Sequence, residues 1–92
     1  DLGCGYGFLT LASDWLPCQR RVATDNNAAA LICAEKNAAE RGMQVDTVAA
    51  DKADQVDGVF DIVLCNPPFH RGFDVDADLT REFLQAARAK LA

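Results

Sequence analysis

The sequence predicts an α/β fold built on a mostly parallel sheet, on three observations. Strand-like and helix-like segments alternate along the chain. The clearest strand is an apolar run of the kind buried on both faces. The glycine-rich and polar stretches fall where the predicted strands end. Such alternation implies parallel strands joined by right-handed crossovers, and ligands in open sheets of this kind bind beyond the carboxyl ends of the strands.

Each element has its own signal. After the turn Gly3–Gly7, the residues Phe8, Leu9, Leu11, Ala12, Trp15 and Leu16 recur at helical spacing, and Pro17 stops them. Arg21 to Thr24 reads as a short strand ending at Asp25. Asn26 or Asn27 can cap the next helix, with Ala28, Leu31, Ile32 and Ala39 on one face, Glu35, Lys36, Glu40 and Arg41 on the polar side, and Gly42 as the stop. Gln44 to Ala50 alternates weakly as a strand and runs into a polar loop from Asp51 to Gly58. Phe60 to Cys65 is the apolar strand, and Asn66-Pro67-Pro68-Phe69 must end it because proline cannot donate to a ladder. Asp76 or Asp78 begins a last helix through Phe83, Leu84, Ala87 and Leu91.

Composition bounds the function. The 92 residues are half hydrophobic and a quarter charged, the profile of a globular chain of less than one typical domain of about 150 residues. No apolar run reaches the roughly 18 residues of a membrane helix, so no membrane partner is expected. The net charge of −5 argues against holding nucleic acid by bulk electrostatics, since phosphate binding depends on Lys and Arg. Cys4, Cys18, Cys33 and Cys65 lie far apart beside a single histidine, which excludes zinc-ligand spacing and points to free thiols in a reducing cytoplasm. Asp1 leads straight into the glycine turn with almost no strand before it, and Ala92 stops inside a helical pattern. Both ends read as cut, so residues 1–92 are expected to be part of one domain of a longer protein, with further strands or a further domain beyond it.

Four predicted strand ends converge on one edge: Gly3 to Gly7, Asp25, Asp51 and Asn66 to Phe69. Gly3, Gly5 and Gly7 allow a tight turn and close approach of backbone to ligand. A dinucleotide fingerprint would need glycine where Phe8 stands, and no triphosphate-binding loop is present. An ionised Asp25 can accept from vicinal ribose hydroxyls, though an aspartate there can equally cap a helix. Asn66 and the two prolines form a stiff wall with little entropy left to lose.

Asp1-Leu2-Gly3-Cys4-Gly5-Tyr6-Gly7 resembles the first motif of class I S-adenosylmethionine-dependent methyltransferases, and Asn66-Pro67-Pro68-Phe69 resembles the fourth motif of those acting on nitrogen attached to a planar group. The resemblance implies a Rossmann-like, doubly wound sheet, of which this chain would hold the N-terminal half without the last strands. It implies S-adenosylmethionine as cofactor and no metal. Cofactor contacts would come from Asp1, Gly3, Cys4, Gly5, Asp25, Asn26, Asp51 and Asn66. Asp1 would lie near the amino group of the methionine portion, and Asp51 would accept from the adenine amine. The catalytic set would be Asn66, Pro67 and Phe69. The Asn66 side-chain oxygen and the Pro67 carbonyl would accept the two N–H bonds of the target amine, and Phe69 would stack on its flat acceptor.

Phe69 followed by His70 looks most like the bacterial ribosomal RNA enzymes that methylate the exocyclic amine (N2) of guanine. RNA is therefore the expected substrate, with His70 and Arg71 as possible contacts to it or as an exposed loop. Alternatives are a protein glutamine amide or adenine as acceptor, a non-catalytic cofactor-binding module and, last, a nicotinamide-dependent oxidoreductase.

Overall fold

The computed structural model describes residues 1–67, 70–71 and 74–92. Its elements are α1 (Phe8–Ala12), β1 (Val22–Asp25), α2 (Ala28–Glu40), β2 (Asp46–Ala49), β3 (His70–Arg71), β4 (Asp74–Val75) and α3 (Ala77–Lys90). β1 and β2 pair in parallel from Val22↔Asp46 to Asp25↔Ala49. β3 and β4 form a short antiparallel pair that the sequence did not announce.

Three parallel bridges order the rest of the sheet. Leu2 bridges Thr24 on one side and Cys65 on the other, with Leu2 N–H donating to the Leu64 carbonyl (2.8 Å) and Cys4 N–H to the Thr24 carbonyl (2.8 Å). Across the sheet the order is β2, β1, Leu2, Cys65. In chain order that is third, second, first, fourth, the half-sheet of a doubly wound fold, with the reversal between Leu2 and Cys65.

Side chains alternate across this sheet as strand geometry requires. Ala23 turns toward α2 in a cluster with Cys4, Leu31 and Ala34, while Val22 packs on the opposite face with Leu2, Ala53, Val56, Phe83, Ala86 and Ala87. Helices therefore cover both faces, α2 one and α3 the other. Among the described residues no helix is long and apolar enough to cross a membrane.

The two longer helices start where short polar side chains can bind their free N–H groups. Asn27 caps α2 by accepting from Ala29 and Ala30, and Asp76 caps α3 by accepting from Leu79. α2 closes with Gly42 N–H bonded to the Ala39 carbonyl and Met43 N–H to the Ala38 carbonyl, which requires the left-handed φ of +67° at Gly42. Its buried stripe is Leu31, Ala34 and Ala38. The expected face differs: Ile32, Ala28 and Ala39 are exposed, because the small Ala34 and Ala38 let α2 approach the glycine turn and β1 closely.

Three further expectations are corrected. α1 ends at Ala12 rather than reaching Leu16: Asp14 N–H and Leu16 N–H turn back three residues, to the Leu11 and Ser13 carbonyls, so the chain tightens out of the α-helix, and Arg21 then binds the Ser13 and Leu16 carbonyls; Trp15 is exposed. α3 ends at Lys90, and Leu91 runs extended beside Phe60, with Phe60 N–H donating to the Lys90 carbonyl (2.7 Å) and Ala92 N–H to the Phe60 carbonyl (2.8 Å). Phe60 to Cys65 is no continuous strand: among the described residues it is bridged only at Phe60 and Cys65, and Ile62 is 58% exposed. The physical reason is partner supply. Among the described residues Leu2 is the one bridged to this segment and to β1 at once. The space between β1 and the 60–64 segment is a cavity of about 750 Å³ lined by Asp1, Val22, Ile62, Leu64 and Ala87.

Candidate functional site

The bridges decide which residues meet at the carboxyl edge. Gly3 follows directly on Leu2, and Asp25 and Asn66 follow on Thr24 and Cys65, the two residues that Leu2 bridges on either side. They stand side by side on adjacent parallel strands, which are spaced about 4.8 Å apart. Asp51 joins from the next strand over: Ala49 is in register with Asp25, and Ala50 N–H donates to the Asp25 carbonyl (3.1 Å). The cavity of about 750 Å³ opens instead among the amino-terminal ends of the strands, away from this cluster of polar groups.

The glycine turn is held by position-specific contacts. Gly3, Gly5 and Gly7 have φ of +69°, +55° and +96°, values that L side chains rarely adopt. A Cβ on Gly3 would stand 3.0 Å from Phe83 Cε1, and one on Gly7 3.3 Å from Ala34 Cβ, so α3 and α2 each press on the turn. Gly5 differs, because nothing lies within 4 Å of where its Cβ would be. That position leaves open space for a ligand to approach the backbone.

Asp25 ties the edge together. One carboxylate oxygen accepts from Gly5 N–H (2.9 Å) and the other from Asn27 N–H (2.9 Å). The helix-capping role falls to Asn27, and Asn26 is exposed. A carboxylate offers about four acceptor positions, so Asp25 keeps about two for a ligand. Cys4 is buried behind the turn, donating to the Gly5 carbonyl; burial first, and the nearby Asp25 charge second, push its thiol up to about 11. A thiol that stays protonated is a packing group and not a nucleophile.

The other expected residues divide. Asp1 directs Oδ2 to α1, accepting from Thr10 N–H (3.0 Å) and Thr10 Oγ1 (2.8 Å), so part of its capacity is spent on anchoring that helix. Asp51 is exposed and ion-paired with Lys52 (3.2 Å). Asn66 is exposed at the edge and Pro67 half-buried. Phe69 lies outside the described residues. Lys52 and Phe83 were not singled out as site residues from the sequence. Lys52 adjoins Asp51 in sequence, which was the available signal, but the left-handed backbone at Lys52 (φ +56°) and Ala53 (φ +68°) has no glycine to announce it.

Open backbone at Gly5, two carboxylates and an unobstructed carboxamide on one edge make a site for a ligand with hydroxyls and amines to donate. Residues 1–92 match the methyltransferase small domain family. The chain is 38% identical over 92 residues to ribosomal RNA small subunit methyltransferase C of Shewanella loihica, covering 99% of this chain and 27% of that protein. It is 36% identical to the protein of that name from Actinobacillus succinogenes (99% and 28%) and 34% identical to that of Haemophilus influenzae (96% and 27%). The chain thus spans about a quarter of the length of these curated relatives. With the family model matched over every residue from 1 to 92, this chain belongs to the methyltransferase small domain family.

Proposed function

We propose that the protein to which this chain belongs is an S-adenosylmethionine-dependent methyltransferase acting on ribosomal RNA, with the exocyclic amine of guanine as acceptor. Residues 1–92 are then part of its cofactor-binding domain. The observation that carries the reading is the placement of Gly3, Asp25 and Asn66 one residue beyond Leu2 and the two positions it bridges, Thr24 and Cys65. The relatives named above are ribosomal RNA methyltransferases and support the substrate class.

The residues fit the cofactor. The turn around Gly5 is a cradle that a Cβ would begin to fill, the spare lone pairs of Asp25 suit a ribose diol, and Asp51 is an acceptor for the adenine amine. Gly3, Cys4 and Asn26 contribute neighbouring backbone. When bound, S-adenosylmethionine supplies an electrophilic sulfonium methyl.

On the acceptor side, the Asn66 side-chain oxygen and the Pro67 carbonyl accept the two N–H bonds of the amine. Holding both hydrogens turns the nitrogen lone pair out of conjugation with the ring. Pro67 restricts the backbone of Asn66, so little orientation remains to be lost. Phe69 stacks on the base. The new N–C bond would form at the expense of the S–CH3 bond, leaving the neutral thioether. The amine nitrogen, made acidic by the charge it gains, would lose one N–H proton to water past the Asn66 or Pro67 oxygen, so no strong base is needed. With a net charge of −5 in this chain, affinity for RNA is assigned to parts of the protein beyond it.

The test is Asn66→Ala in the full-length protein. Loss of at least ~100-fold in labelled methyl transfer into ribosomal RNA is expected, the scale of removing a preorganised polar group from a reacting centre. Calorimetric affinity for S-adenosylhomocysteine should be retained. Transfer at the wild-type rate would remove Asn66 from the mechanism, and transfer into a protein amide instead of RNA would change the substrate.

A further inference from the structure

We propose that Lys52 is a positioning residue whose ammonium latches the Asp51 loop onto α3 and so sets how Asp51 presents its carboxylate. The proposal rests on the reading above, in which Asp51 accepts from the adenine amine.

The loop needs holding. Lys52 and Ala53 are consecutive non-glycine residues at φ +56° and +68°, a region disfavoured for any residue with a Cβ. Ala53 is anchored by burial beside Leu2 and Val56. Asp51 is held at its backbone, where its carbonyl accepts from Asp54 N–H (3.4 Å), while its side chain is 63% exposed. The Lys52 ammonium supplies the restraint. It lies 3.2 Å from Asp51 Oδ2 and 3.3 Å from Oδ1, 3.5 Å from Glu82 Oε2, and 5.7 Å from the centre of the Phe83 ring. Two carboxylates and an aromatic face fix it from three sides.

The latch also couples two parts of the site. Phe83 is the residue against which Gly3 packs, so neighbouring positions of α3 hold the glycine turn and the Asp51 loop together. The hydrogen bond to Asp51 comes first among the causes that raise the Lys52 pKa, so the ammonium stays charged across the neutral range. Ion pairs this exposed contribute little to overall stability. Their consequence here is orientation: a carboxylate held in one rotamer discriminates an amine donor, whereas a mobile one does not.

The experiment uses the full-length protein with two probes, S-adenosylhomocysteine and its 6-oxo purine analogue, S-inosylhomocysteine. An oxo group cannot donate to Asp51, so the wild type should prefer the amine by roughly 10- to 100-fold, the range for leaving a polar partner unmatched. Lys52→Met keeps the apolar stem and removes the charge. It should weaken S-adenosylhomocysteine by about 5- to 20-fold and cut the preference to below about threefold, with kcat at saturating cofactor within about twofold. Lys52→Arg should restore both affinity and preference. Glu82→Gln, an exposed change with no bearing on folding, should shift both in the same direction by about two- to threefold.

Unchanged preference in Lys52→Met while the wild type binds overturns the latch and leaves the proposed function standing. If Lys52→Met does not fold, unchanged preference in Glu82→Gln overturns it instead. A wild type that binds neither probe defeats the proposed function and the latch together.

Discussion

The two halves of the sheet are built on different terms. β1, α2 and β2 form a closed unit. Four residue pairs stand in parallel register, Ala23 is fully buried between the sheet and α2, and both ends of the helix are capped. The 60–67 segment has a comparably apolar sequence but, among the described residues, is bridged only at Phe60 and Cys65, with Leu64 accepting from Leu2 N–H and Ile62 exposed. The first half carries the expected cofactor acceptors and the second the expected catalytic amide. The comparison teaches that an apolar run becomes a strand only where a neighbouring backbone is supplied. Hydrophobicity determines burial, and hydrogen-bond partners determine the ladder.

The sharpest way to break this comparison is to cut one side chain in each half. Leu31→Ala, deep in the α2 cluster, should cost about 2–5 kcal/mol in the full-length protein, the usual range for a buried leucine. Ile62→Ala, at an exposed position, should cost no more than about 0.5 kcal/mol. Denaturant titration measures both. Equal losses would mean that another part of the protein covers the 60–64 segment and that the two halves are alike once it is in place.

A smaller effect tests the link between turn and strand. Asp25→Ala removes the acceptor of Gly5 N–H and Asn27 N–H, each part of a charged hydrogen bond contributing about 1.5–3 kcal/mol. Weakening of S-adenosylhomocysteine binding by at least ~10-fold is expected by calorimetry, with the larger share from the lost ribose acceptor. Binding at wild-type strength would confine Asp25 to a structural role in the turn.

The mildest prediction concerns pH. The Cys4 thiol is raised on folding from an ordinary 9.0 to about 11. A raised acid is stabilising while protonated in both states, and the contribution is lost as pH rises from the unfolded value through the folded one. Thermal stability should therefore fall between pH 9 and 11, and Cys4→Ala should flatten that fall. A slope identical in the variant would assign the alkaline loss to other groups.

Much of this was legible in order along the chain. The caps and the Gly42 stop are local signals, each a side chain or glycine satisfying groups a few residues away: Gly42 stands where the sequence put it, and the structure selects Asn27 over Asn26 and Asp76 over Asp78. The stripe of α2 was misjudged because hydropathy favours Ile32 over Ala34, while close packing against Gly7 selects the smaller residue. The end of α1 was misjudged because apolar spacing continues to Leu16 while the backbone after Ala12 tightens into three-residue turns, a change that hydropathy does not encode. Lys52 escaped notice because a left-handed lysine has no sequence signature.

By itself the sequence determined which residues end strands, and therefore that Gly3–Gly7, Asp25, Asp51 and Asn66 share one edge; periodicity and turn chemistry act over a few residues and can be read locally. Only the tertiary structure decided the neighbours. Leu2 between Thr24 and Cys65, Phe83 beneath Gly3, and Lys52 between Asp51 and Glu82 all join residues at least a strand or helix apart, or depend on a backbone state that no local signal encodes. Those pairings arise from packing two helices onto opposite faces of one sheet, a constraint that exists only once the whole chain has come together.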